Sequence, residues 1–248
     1  MRILVFGAGV LGCNLARDLF RAGKDVTLLA RGSWAAEIQQ NGLRIKDKFS
    51  PRMSVSRVPV VTELKPEDVY DVIFVVLRYT QLEAILDTLR ANGTKNLVFV
   101  GNNVSAGALA ASLPEKNVLF AFASSAGHRE RSYVASVDLK KLKGDTAYLS
   151  RLIDANIEGY RAIRDAGHAI LPASDADFEG VAYRKTCLRF FRLMCATSLG
   201  KICASDHAIN AVDEMSALDR DLKRFFDENG GTYPVWCQLE REAGRYLR

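Results

Sequence analysis

Residues 1–30 read MRILVFGAGVLGCNLARDLFRAGKDVTLLA, and the order of residue types in that stretch decides the fold. Arg2 to Phe6 (RILVF) is a short unbroken apolar run, the pattern of a strand buried on both faces. Val10 to Ala22 has helical periodicity, and Gly23 fits a helix stop. Asp25 to Ala30 (DVTLLA) is a second apolar strand. Between the first strand and the helix stands Gly7-Ala8-Gly9-Val10-Leu11-Gly12, a G-x-G-x-x-G sequence. In a strand–turn–helix–strand unit, Gly7 permits the tight turn, Gly9 lets the backbone approach a pyrophosphate, and Gly12 lets helix and strand pack closely. The helix start at Val10 and Leu11 then offers unpaired N–H groups and the positive end of the helix dipole to phosphates. The expectation is a dinucleotide site. A glycine turn kept only for packing is the alternative.

Working outward, Ser33 to Gln40 reads as a short helix with a serine cap, and Leu43 to Pro59 as an irregular stretch or hairpin. Asp71 to Leu77, Asn96 to Val100 and Asn117 to Phe122 are three more apolar strands. Helices are expected over about 81–91 and 105–112, between these strands. Alternating strands and helices with continuous apolar strands predict a doubly wound, Rossmann-type parallel sheet. Residues 128–150 fit one or two further strands. From about Leu149 helical periodicity takes over, through 149–165, 178–202, 207–229 and 234 to the end, with a short extended piece at Ala169 to Leu171. The expected architecture is α/β: a Rossmann domain over residues 1–165 and a smaller all-helical substrate or dimerisation domain over 166–248. Packing of the two would form a cleft, where ligands tend to bind.

Composition narrows the class. The 248 residues are 48% hydrophobic, enough for a full core, yet no apolar run reaches the ~18 residues of a membrane span. Ile3 to Phe6 is too short for a signal peptide, because the glycine turn interrupts it. The five cysteines form no CxxC pair, and an odd count suits free thiols in the reducing cytoplasm. The three histidines (His128, His168 and His207) lack metal-ligand spacing, so no metal is expected. Net charge is +5 and the pI about 9.0. A nucleic-acid partner rests on that charge alone, and the basic residues are interspersed with acids. A phosphorylated cofactor and a small anionic substrate account for the same excess.

The end of the second strand discriminates between cofactors. An Asp or Glu there, holding the ribose 2′-OH, marks an NAD site. This chain has Ala30, Arg31, Gly32 and Ser33. The Arg31 guanidinium suits a 2′-phosphate, with Ser33 assisting, so NADP(H) is the expected cofactor.

MRILVFGAGVLG, Arg31, Arg78-Tyr79-Thr80-Gln81 after the third apolar strand, Asn102 after the fourth, and Tyr183 with Lys185 together resemble the ketopantoate reductase family. The likeness continues weakly into Asp213-Glu214-Met215 and the turn from Gly231 to Pro234. It implies NADPH-dependent reduction of ketopantoate or a related 2-keto acid. Carried over residue by residue, Lys185 takes the place of the catalytic lysine, Asn102 that of an asparagine beside the nicotinamide, and Gln81 that of a cofactor-contacting glutamine. An ammonium suits the reaction, since reducing a ketone leaves an alkoxide that needs a proton or a positive charge. Taken singly, these three residues also read as a surface helix lysine and two loop residues.

The chain departs from the family at several positions. Arg78 stands where the family has Lys, and Arg189 and Leu193 replace two asparagines. The segment from Lys185 to Arg248 is shorter than in typical members, without their late Ser-rich stretch and Glu. At ~100° per residue Lys185, Arg189 and Arg192 fall within about 60° on one helix face. That basic stripe suits a substrate carboxylate, or is a solvated basic face. Leu188, Phe190, Phe191, Leu193 and Met194 are expected on the other side, and Cys187 and Cys195 as core thiols. Phe190, Phe191, Phe225, Phe226 and Trp236 suggest a homodimer. The sequence thus supports an NADPH-dependent keto-acid reductase, or a non-catalytic NADP(H)-binding redox sensor with an altered substrate domain.

Overall fold

The computed structural model describes residues 1–46, 53–103, 105–122, 144–197 and 212–243. The chain divides into two compact units, Met1–Arg129 and Glu130–Arg248.

The first unit is built on β1 (Arg2–Phe6), α1 (Val10–Arg21), β2 (Asp25–Leu29), α2 (Gly32–Asn41), β3 (Leu43–Lys46), β4 (Met53–Ser56) and β5 (Val60–Val61). There follow β6 (Val72–Val75), α3 (Leu86–Ala91), β7 (Asn96–Val100), α4 (Ala106–Ala111) and β8 (Asn117–Ala121). Among the described residues six strands form one sheet in the order β5-β2-β1-β6-β7-β8, and every neighbouring pair is parallel. This is the doubly wound order, and it reverses direction between β1 and β6. β3 and β4 form a separate antiparallel pair, the expected hairpin.

The apolar runs follow from burial on both faces. Ile3 and Val5 point into one layer with Cys13, Ala16, Val26 and Leu28. Leu4 and Phe6 point into the other with Ile73, Val75, Leu89, Leu97 and Phe99. Alternate side chains of one strand thus enter two cores, which removes any polar–apolar alternation.

Three local expectations change. α2 starts at Gly32 with Arg31 as its N-cap residue, so Ser33 lies inside the first turn and does not cap it. The segment expected as one helix from 81 consists of 3₁₀ turns at Tyr79–Gln81 and Glu83–Ile85 before α3. β5 was not expected as a strand, because two valines carry no periodicity.

The second unit contains α5 (Thr146–Asp165), α6 (Val181–Ala196), α7 (Val212–Glu228) and α8 (Pro234–Ala243). α5, which the sequence reading grouped with the first domain, packs instead against α6, α7 and α8. Its stripe of Ile153 and Ile157 meets Phe178, Leu188 and Phe191, all later in the chain. Asp145 caps it, accepting from the Tyr148 N–H at 2.8 Å. The buried Glu158 carboxylate accepts from the N–H groups of Val235 and Trp236, each at 2.9 Å, and so caps α8 from the middle of α5. Residues 168–171 form no strand. The strands expected over 128–150 fall mostly outside the described residues, and from Thr146 the chain is helical. Residues 198–211, which held the end of one expected helix and the start of the next, also lie outside them.

Candidate active site

The glycine turn lies at the carboxyl end of β1, beside the point where the strand order reverses. Each glycine has a distinct steric reason. Gly7 has φ +118°, and a Cβ there would lie 2.4 Å from the Val76 carbonyl oxygen and 2.9 Å from the Leu77 side chain. A Cβ on Gly12 would lie 1.8 Å from the Gly7 carbonyl oxygen, so α1 cannot pack on the turn with any other residue. Around Gly9 a Cβ would meet nothing within 4 Å. Packing therefore demands glycine at 7 and 12, while at 9 the space stands open in front of the helix end. α1 begins at Val10 with no side-chain cap, so the first-turn amides of Val10, Leu11 and Gly12 have no partner within the helix.

Two aromatic residues that sequence reasoning missed order this region. The Arg31 guanidinium lies over the Phe6 ring, 5.8 Å from its centroid, which holds an exposed cation at the carboxyl ends of β1 and β2. The Trp34 indole N–H donates to the Ala8 carbonyl at 3.0 Å, joining α2 to the glycine turn. A tryptophan on a short amphipathic helix reads as core, so nothing in the pattern announces this bond. Ser33 is exposed beside Arg31.

Arg78 and Gln81 form a turn of their own. The Gln81 N–H donates to the Arg78 carbonyl at 2.9 Å, and the Gln81 side-chain oxygen accepts from the Arg78 N–H at 3.2 Å. Gln81 is exposed with its side-chain oxygen used in this cap. Tyr79 bonds Ser105 through their hydroxyls at 3.0 Å, linking the segment after β6 to the start of α4. Asn102 is half-buried just past β7, after Gly101, whose N–H donates to Ala121 at 3.0 Å. A Cβ on Gly101 would approach the Leu77 carbonyl at 3.5 Å, so Leu77 borders both Gly7 and Gly101. The structure therefore gathers Gly7, Gly9, Gly12, Arg31 and the segments bearing Arg78 and Asn102 at the carboxyl ends of the parallel strands, the end at which open α/β sheets bind ligands.

In the second unit Lys185, Arg189 and Arg192 are all exposed on α6. The Arg192 guanidinium donates to the Thr146 hydroxyl at 2.6 Å. Lys185 and Arg189 have no hydrogen bond or ion pair among the described residues. The opposite face packs Tyr183, Cys187, Leu188 and Phe191, each half-buried, against the cluster of Ile153, Ile157 and Phe178. Phe190 and Leu193 do not join that side as expected; they are 54% and 62% exposed. Tyr183 donates to Asn156 at 2.9 Å. Burial, a hydrogen bond with Cys187 and the neighbouring Tyr160 push the Tyr183 phenol far up, so it stays protonated and anchors the helix that bears Lys185. Burial likewise pushes the Cys195 thiol up, which suits packing rather than nucleophilic work. Among the described residues no cluster of three or more His, Cys, Asp or Glu is placed to hold a metal, and no helix is long and apolar enough to cross a membrane.

Comparison with known proteins bears on the fold and the family. No curated protein matches the chain. Among solved structures it is similar to a probable 2-dehydropantoate 2-reductase of Bacillus subtilis, with 15% identity, TM-score 0.65, and 96% of this chain and 97% of that one covered. It is similar to D-mandelate dehydrogenase in complex with NADH, with 15% identity, TM-score 0.59, and 97% of each chain covered. It is also similar to a dimeric ketopantoate reductase of Staphylococcus aureus, with 14% identity, TM-score 0.55, and 99% of this chain and 100% of that one covered. At these identities the likeness is one of fold. The family model described as ketopantoate reductase PanE/ApbA matches residues 3–143, more than half of the sequence. The chain belongs to the ketopantoate reductase PanE/ApbA family.

Proposed function

We propose that this protein is a cytoplasmic NADPH-dependent reductase of a 2-keto acid or related small anionic carbonyl compound, with Lys185 as general acid. The observation that carries the reading is the glycine turn: closed by packing at Gly7 and Gly12, open at Gly9, with the Arg31 cation beside it. That arrangement fits a dinucleotide. The open space at Gly9 admits a pyrophosphate against the first amides of α1, and Arg31 with Ser33 faces a ribose 2′-phosphate. Arg78 and Gln81 would line the same cofactor, and Asn102 would stand beside the nicotinamide.

When bound, NADPH supplies the hydride that reduces the carbonyl carbon. The chain's own part is electrostatic and protonic. The Lys185 ammonium donates a hydrogen bond to the carbonyl oxygen and passes its proton to that oxygen as negative charge develops. Being exposed, the resulting amine regains a proton from solvent. Arg189, one helical turn away and unpaired among the described residues, takes the substrate carboxylate, with Arg192 on the same face. A metal and a nucleic acid have no part in this scheme.

The second reading, a non-catalytic NADP(H) sensor, draws on Arg189 and Leu193 at positions where the family has asparagines. A homodimer also belongs to the proposal, supported by the dimeric S. aureus relative. The aromatic residues support it less than expected, since Phe226 is fully buried inside the unit and Phe190 is the exposed one of the five.

The test is titration with NADPH and NADH, followed by a keto-acid panel read by NADPH oxidation. NADPH should bind more tightly. Arg31→Ala should weaken NADPH by about 1.5–3 kcal/mol and leave NADH nearly unchanged. Tighter NADH binding by the wild type overturns the cofactor assignment. Tight NADPH binding with no turnover on any keto acid favours the sensor.

A further inference from the structure

We propose that Trp34 is a positioning residue of the cofactor site, tying the glycine turn to Arg31 through its bond to the Ala8 carbonyl. The proposal rests on the dinucleotide reading above.

Ala8 lies between the two glycines that shape the turn, Gly7 at φ +118° and Gly9 in open space. A backbone with a glycine on each side has wide freedom, so the Ala8 peptide plane has to be held from outside. Its carbonyl oxygen accepts from the Trp34 indole N–H at 3.0 Å and from the Cys13 thiol at 3.4 Å. The thiol is a weak donor on α1 itself, the helix that the turn leads into. Trp34 comes from α2, whose N-cap residue is Arg31. Its ring packs, half-buried, against the core layer that contains Ala8, Ala35 and Ile38. The indole thus spans from the helix that begins at the ribose-phosphate cation to the peptide beside the pyrophosphate space. Fixing that carbonyl fixes the direction of the Gly9 peptide and its distance from Arg31. A dinucleotide carrying both a diphosphate and a 2′-phosphate has to satisfy both ends at once, and such spacing is worth most when both ends are engaged.

Trp34→Phe removes the donor and keeps most of the ring. It should raise the Kd for NADPH about five- to twentyfold, the range of one lost buried hydrogen bond, and raise that for NADH less. In an Arg31→Ala background the same substitution should change NADPH affinity less than twofold, since the second anchor is gone. A merely structural tryptophan would lower Tm and weaken both dinucleotides equally in both backgrounds. That result, or unchanged NADPH affinity, overturns the proposal. Trp236→Phe provides a measurement that does not depend on the folding of Trp34→Phe, because it leaves Trp34 as the only tryptophan. Adenosine 2′,5′-bisphosphate should then shift Trp34 emission and 5′-ADP should shift it less; equal shifts, or none with either, overturn the coupling. If wild-type protein binds neither dinucleotide, the cofactor reading fails and this proposal with it. Binding by the wild type without the coupling defeats this proposal alone.

Discussion

The two units hold their candidate residues in opposite ways. In the first, position is set around the backbone: Gly7 and Gly12 are fixed by contacts that no side chain survives, and the Ala8 carbonyl accepts from Trp34 and Cys13. In the second, Lys185 and Arg189 are long, exposed side chains on a regular helix, free of partners among the described residues. The difference separates two kinds of information. A turn that only glycine can make constrains sequence tightly, whereas a basic helix face tolerates many residues and specifies chemistry only through charge and spacing.

Substitution at the glycines gives the largest effects and the sharpest test of this contrast. Gly12→Ala places a Cβ against the Gly7 carbonyl and should cost about 3 kcal/mol or more of stability, seen as a large fall in Tm. Gly9→Ala meets no neighbour, so stability should stay within about 0.5 kcal/mol. Dinucleotide affinity should nevertheless fall about tenfold or more, because the methyl group fills the open approach. A Gly9→Ala protein that binds NADPH like wild type breaks the assignment of that space.

On the second side of the comparison, Lys185→Ala should lower kcat about 10²-fold or more while NADPH affinity changes only a few-fold. Arg189→Ala should mainly raise KM, since a carboxylate partner acts alike in ground and transition states. Neither should lower Tm appreciably, both groups being exposed and without partners among the described residues. Full turnover by Lys185→Ala with an identified substrate would remove the lysine from the mechanism.

The smallest effect expected is on the frame of the helical unit. Glu158→Gln replaces one of two acceptor oxygens with an amide that faces a backbone N–H. The loss should be about 1–2 kcal/mol by denaturant titration, with the catalytic constants unchanged. A coincident loss of turnover would show that the α5–α8 frame also sets the position of the α6 side chains.

Much of this was legible beforehand. β1 and β7 run over the residues expected, because an apolar run buried on both faces has few other readings. The packing that demands glycine at 7 and 12 follows from the motif's place between strand and helix. β5 was invisible because two residues carry no period, and the 3₁₀ turns at Tyr79–Gln81 and Glu83–Ile85 because their composition is that of a helix. The exposure of Phe190 and Leu193 was misjudged for a related reason: helix angles separate two faces, but which arc is covered depends on α5. Trp34 was missed because a hydrogen bond between an indole and a loop 26 residues earlier leaves no periodic trace. The mapping of α5 to the second unit likewise depends on partners that come after it in the chain.

Glu158 has a temporal consequence. The described parallel strands of the first unit can pair once β8 has left the ribosome, since they all lie at or before it in the chain. The second unit cannot close so early, because the carboxylate in α5 has its backbone partners at Val235 and Trp236. Until those residues emerge, closing the helices over Glu158 would bury an unsatisfied charge, so the late-synthesised α8 acts as the latch on the unit's assembly.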